Sequence, residues 1–190
     1  MNEYGAEYYE SNLEINPECW EGRKILDLGA GTGGAFAEDL KRRGINAEVV
    51  SFSLHYTDKE VAGEQKKDVP KIAGNALNLP FKDNTFDFVV SVLAIPYYLN
   101  SYEEFETVLK EVKRVLKENG EARFWPLSRE TPQLNGRFVI PKDKLTAFFS
   151  KSGLEFKIRN PKSGAGFGKG GNEGVDAILV VRKPSTKQSK

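Results

Sequence analysis

The stretch that most constrains this chain is Ile25-Leu26-Asp27-Leu28-Gly29-Ala30-Gly31-Thr32-Gly33-Gly34. An apolar run carrying one acid ends in a cluster of glycines, and Ala35 to Arg43 follow with the pattern of a helix. Strand, tight glycine turn and helix form the unit that offers backbone N–H groups at a helix start to a nucleotide-like ligand. Glycine suits the turn because it accepts positive φ and has no Cβ to hold a ligand off the backbone. Gly29, Gly31 and Gly34 satisfy G-x-G-x-x-G, so a dinucleotide site is one reading. Asp27 points to another: two residues before the first glycine, it falls at the carboxyl end of a parallel strand, where open α/β sheets bind ligands. A turn that merely closes the strand–helix corner is the third.

The glycine turn with Asp27 resembles the first motif of class I S-adenosylmethionine-dependent methyltransferases. A second stretch, Ile72 to Ser91, reads as a short strand, a loop, a turn at Lys82-Asp83-Asn84 and a buried strand over 86–92. It resembles the same family's pattern in which an acid or amide and its neighbour, here Asn75-Ala76, contact the adenine, followed by a Leu79-Pro80-Phe81 loop and a Phe86-Asp87-Phe88-Val89 strand. The run Glu111 to Gly120 resembles the family's helix before its fifth strand. Together the matching stretches cover about 25–120.

The resemblance implies a doubly wound, Rossmann-like α/β sheet of seven strands, the last one antiparallel and inserted next to the fifth. It implies S-adenosyl-L-methionine as cofactor. Gly29, Ala30, Gly31 and Gly33 would hold the methionine part, and Asp27 would help hold its amino group. Asn75 and Ala76 would contact the adenine, with Ser91 completing the set. Asn75 stands where Asp is commoner, but an amide oxygen also accepts from the adenine amino group. Ser53 is a clear departure. It stands where an acid usually meets the ribose hydroxyls, about 20 residues past the glycines, and cannot chelate two hydroxyls with charge. Asp58, in the following loop, is a weaker substitute.

The acceptor side is less legible. Tyr4, Tyr8 and Tyr9 sit among acids in residues 1–20. The bland reading is a short helix packing its rings; the spacing also resembles the amino-terminal segment that closes over many small-molecule methyltransferase sites. His55, the only histidine, lies just past the second strand and has a suitable pKa for a base. One histidine without a carboxylate or thiolate cluster gives no metal site. Tyr97 and Tyr98 follow the strand whose end faces the transferring methyl group, as packed tyrosines or an aromatic wall. Over 101–117 the apolar spacing predicts an amphipathic helix with a Ser101–Glu104 capping box, ended by Asn119-Gly120.

With 190 residues, 1–182 is expected to form one domain and 183–190 a disordered tail. Net charge is +1, so general attraction to nucleic acid is not indicated. The glycine-rich stretch with Lys162 and Lys169 leaves RNA methylation as a minor alternative. A single cysteine, Cys19, forms no intrachain disulfide. No apolar run approaches the ~20 residues of a membrane span, and the amino terminus is polar. The expectation is a cytoplasmic enzyme that methylates a small molecule by in-line transfer, or, because of Ser53, a non-catalytic domain of the same fold. The oligomeric state is not readable from the sequence.

Overall fold

The computed structural model describes residues 4–31, 34–54, 56, 69–127, 140–160 and 177–185. Seven strands form one sheet: β1 (Lys24–Leu28), β2 (Glu48–Ser53), β3 (Lys71–Ala73), β4 (Phe86–Val92), β5 (Leu116–Leu127), β6 (Glu155–Arg159) and β7 (Ala177–Arg182). Their order is β3-β2-β1-β4-β5-β7-β6. Strands β1 to β5 pair in parallel, while β7 runs antiparallel to both β5 and β6. This is the expected doubly wound topology. The apolar, β-branched strands are buried because helices cover both faces of the sheet.

Alternation along β1 sorts the two faces. Leu26 and Leu28 join Val50, Phe52, Val89 and Phe124 against helix α3 (Tyr102–Val115) and helix α4 (Lys142–Ser152). Ile25 and Asp27 point the other way, toward helix α1 (Ala6–Leu13) and helix α2 (Ala35–Arg42). Register puts Lys71, Ser51, Asp27, Val90 and Arg123 in one row across β3, β2, β1, β4 and β5 on that second face. Polar side chains in such a row need partners, because water cannot reach them.

The second motif is held by α3. The Arg114 guanidinium donates to the carbonyls of Leu79 (2.8 Å) and Phe81 (2.6 Å). Glu111 accepts the Leu79 N–H at 2.8 Å. This pair therefore fastens the Leu-Pro-Phe loop to the helix. The Asp87 carboxylate accepts from the Lys24 N–H (2.9 Å) and the Lys117 ammonium (2.8 Å) at the amino end of β1. Burial pushes the Asp87 pKa up, but these bonds and the nearby Arg23 hold it below the usual carboxylate range.

Helix α3 starts at the expected Ser101 cap, and its far end departs from the sequence reading. The Glu104 N–H does bond Ser101 Oγ (3.2 Å), but the Glu104 carboxylate accepts from the Asn100 N–H (2.7 Å), closing the cap one residue upstream. Helix α3 stops at Val115, and Asn119-Gly120 lies inside β5. Asn119 has φ 62°, and the β4–β5 register shifts between Phe86 and Phe88. The Lys183 ammonium caps α3 by donating to the carbonyls of Lys113 (2.9 Å) and Leu116 (2.8 Å).

Candidate active site

The carboxyl ends of β1, β2 and β4 meet at the glycine turn. Gly29 has φ +90°, and a Cβ there would come within 2.2 Å of the Ala94 Cβ. Close packing against the segment after β4 therefore requires glycine at 29. Gly31, at φ +69°, has nothing within 4 Å of a built Cβ among the described residues. The N–H groups of Gly29 and Ala30 both donate to the Phe52 carbonyl, at 2.8 and 3.1 Å. Those two amides thus brace the turn against β2.

Asp27 is 1% exposed. Its Oδ1 accepts from the Tyr9 hydroxyl at 2.9 Å, and its Oδ2 is buried with no hydrogen-bond partner among the described residues. Loss of water pushes the Asp27 pKa up to about 7, against a smaller opposing effect of the Tyr9 bond. The same burial, together with the neighbouring carboxylate, pushes the Tyr9 pKa well up. An orphaned carboxylate oxygen in an apolar setting costs free energy unless a donor or cation reaches it. A ligand ammonium fits that requirement, so Asp27 and the turn suit the amino-acid end of S-adenosylmethionine.

Helix α1 is tied down at several points. The Ala6 N–H donates to Asp39 Oδ2 (2.8 Å) at one end. The Arg123 guanidinium reaches the carbonyls of Leu13 and Glu14 (2.6 Å each) at the other. Between them Glu10 accepts from Arg43 (3.0 and 3.1 Å) and the Trp20 indole (3.1 Å). Tyr9 stacks on Phe36 at a centroid distance of 4.4 Å. Tyr8 packs edge-on to Trp125 (6.1 Å) and stacks with Tyr4 (4.0 Å), which is 40% exposed. Of the three tyrosines expected over the site, Tyr9 is therefore interior, while Tyr4 and Tyr8 form an aromatic pair nearer the surface.

The other expected positions divide. Ser53 ends β2 and is buried, and its carbonyl accepts the Gly74 N–H (3.1 Å). Asn75 is exposed, but its Oδ1 already accepts the Leu77 N–H (2.9 Å), an Asx turn that shapes the loop carrying Ala76. Ser91 is fully buried. Its hydroxyl donates to the Leu28 carbonyl (2.8 Å) and accepts the Ile95 N–H (2.9 Å), which fastens the turn after β4 to the end of β1. Tyr97 is partly buried, while Tyr98, in edge contact with it at 5.0 Å, is 65% exposed. Burial, then the neighbouring Tyr98, raises the Tyr97 pKa, so its hydroxyl is protonated at neutral pH. Gly33, His55 and Asp58 lie outside the described residues.

Sequence reasoning missed Arg123, Trp125 and the row-mates of Asp27, Ser51 and Lys71. A signal was present: each of Arg123, Ser51 and Lys71 is polar within a strand that covers a buried face. Lys71 sits over the Tyr56 ring at 5.6 Å, and a Cβ on Gly34 would meet Lys71 Cε at 3.1 Å and Ser51 Oγ at 3.3 Å.

A family model described as Methyltransferase domain matches residues 26–124. The chain is similar to the demethylmenaquinone methyltransferase of Thermotoga maritima, 33% identical over 144 residues. That match takes in 76% of this chain but 56% of the relative, so the chain spans little more than half of that protein. A solved Thermotoga maritima structure, titled a SAM-dependent methyltransferase and possible histamine N-methyltransferase, aligns with a TM-score of 0.59 and 24% identity. The alignment covers 92% of this chain and 89% of that one. The 1,6-didemethyltoxoflavin-N1-methyltransferase of Burkholderia thailandensis, solved with its acceptor and S-adenosylhomocysteine, aligns with a TM-score of 0.65 and 14% identity. That alignment covers 95% of this chain and 79% of the other. Both structural likenesses speak to the fold.

Proposed function

The chain belongs to the methyltransferase domain family, and on that premise we propose that it transfers a methyl group from S-adenosylmethionine to a small organic acceptor. The observation that carries this reading is the buried, half-satisfied Asp27 at the end of β1, beside a turn whose Gly31 has no described residue within 4 Å of a built Cβ. Asp27 Oδ2 takes the cofactor's ammonium. Gly31 leaves room for the methionine chain, and Gly29 and Ala30 keep the turn braced on β2. The loop of Asn75 and Ala76 borders the adenine, and Ser53 meets the ribose through hydrogen bonding alone.

When bound, S-adenosylmethionine supplies a methyl group already activated on a sulfonium. The chain's own work is then alignment and exclusion of water, so no acid–base pair is required. Tyr97 and Tyr98, in the segment after β4, with Tyr8 against Trp125 and Tyr4 stacked on Tyr8, supply aromatic surface for a planar acceptor. A demethylated quinone ring, the acceptor type in the name of the Thermotoga maritima relative, is the first compound to try.

Calorimetry with S-adenosylhomocysteine tests the site. The wild-type chain should bind it, and Asp27→Ala and Gly31→Arg should each abolish the heat. Unchanged affinity in both variants would falsify the assignment. The Ser53 departure favours a second reading, a domain of this fold that does not catalyse. It requires affinity no tighter than about millimolar, a free energy of roughly −4 kcal/mol, and no turnover of any acceptor.

A further inference from the structure

We propose that Tyr9 is the positioning residue of Asp27: its hydroxyl fixes the carboxylate so that a single oxygen, Oδ2, is left to meet the cofactor's ammonium. This rests on the reading of Asp27 given above. It removes Tyr9 from the acceptor side, where its place in the sequence had put it.

A carboxylate is two-fold symmetric about its last torsion, so an isolated Asp27 offers either oxygen. The Tyr9 hydrogen bond removes that freedom. The ring and the helix that carry this hydroxyl are themselves held. Phe36 stacks on the ring within 4.4 Å. Asp39 holds the amino end of α1, Arg123 the carboxyl end, and Arg43 and Trp20 hold Glu10, the residue after Tyr9. A loose flap would need none of these ties.

The other groups around Asp27 do not share this role. In its own row, Ser51 and Val90 flank it, with Lys71 and Arg123 beyond them. Arg123 is engaged with Glu121 and the α1 carbonyls, and Lys71 lies over Tyr56. Helix α2 presents the Phe36 ring. Tyr56 acts electrostatically on Tyr9, in the same direction as Asp27. Among the described residues, Tyr9 alone donates a hydrogen bond to Asp27. That bond favours the charged carboxylate, the form that attracts an ammonium.

The test is Tyr9→Phe, which keeps the ring and its stacking and removes one oxygen. Carbon-detected NMR of the Asp27 carboxyl in the ligand-free protein should show its midpoint moving to higher pH by about one unit. In calorimetry, S-adenosylhomocysteine affinity should fall at least about fivefold at pH 7, following the ionised fraction, and stay below wild type at pH 9, where both carboxylates are ionised and only the lost orientation remains. An unmoved NMR midpoint, or a Tyr9→Phe affinity equal to wild type at pH 9, overturns the proposal. A wild-type chain that binds no S-adenosylhomocysteine sinks the cofactor reading instead, while the NMR titration still decides Tyr9. If Tyr9→Phe does not fold, Phe36→Leu, which lets the Tyr9 ring tilt, should shift the midpoint the same way, and no shift there also overturns it.

Discussion

Replacing Asp27 by asparagine should stabilise the ligand-free protein above neutral pH while removing the carboxylate proposed to hold the cofactor's ammonium. Burial raises the Asp27 pKa from 3.8 to about 7. Below about pH 4 the carboxyl is protonated in both folded and unfolded chains, so it adds no pH-dependent term. Between about 4 and 7 the unfolded chain ionises while the folded one keeps its proton, and stability falls with rising pH. Above 7 the full difference is present, about three pKa units at 1.36 kcal/mol each, or roughly 4 kcal/mol. The Asp27→Asn variant escapes that penalty but, with its oxygen kept on Tyr9, puts an amide N–H₂ where Oδ2 has no partner among the described residues, which costs about 1–3 kcal/mol. It should therefore be less stable than wild type near pH 4.5 and more stable, by about 1–3 kcal/mol, at pH 8. Urea unfolding of both proteins across this range measures the difference directly, and other titrating groups cancel. Parallel stability curves, with no crossing, would refute the claim that Asp27 is buried without a compensating charge.

Gly29→Ala should destabilise the fold by about 2 kcal/mol or more, since its methyl would meet the Ala94 Cβ and alanine is strained at φ +90°; Ala94→Gly should restore only the part due to the clash in thermal melts. Ser53→Asp should tighten S-adenosylhomocysteine binding about tenfold, near 1.4 kcal/mol for a charge-assisted bond to the ribose, as read by calorimetry. Arg123→Gln removes two bonds to the end of α1; it should cost about 1–3 kcal/mol in urea unfolding and speed the release of bound S-adenosylhomocysteine in stopped flow. Asp87→Asn should remove stability that wild type holds at neutral pH and loses in acid, because the Asp87 pKa is depressed in the folded state.

The sheet was legible because its signals are local. The apolar runs at 24–28, 48–53, 86–92 and 177–182, with turns at Gly29–Gly34 and Lys82–Asn84, mark the strands before any contact is known. The strand order came from resemblance, since periodicity says nothing about which strand lies beside which. Asp27 and the glycine turn were legible for the same local reason. What the turn's amides do was not: Gly29 and Ala30 donate to Phe52, a partner more than 20 residues away. The partnership of Tyr9 with Asp27 and the hold of Arg123 on α1 join residues 18 and 110 apart, separations at which spacing carries no information. The end of α3 was misplaced because Asn119-Gly120, a strong stop signal, is used for an irregularity inside β5, and the cap comes from Lys183.

Arg123 and Asp39 together nail both ends of α1 over a carboxylate that water cannot touch. Loosening either tie would let water onto Asp27, so the strength of that carboxylate's grip on a cation is governed by two residues that never touch the cation.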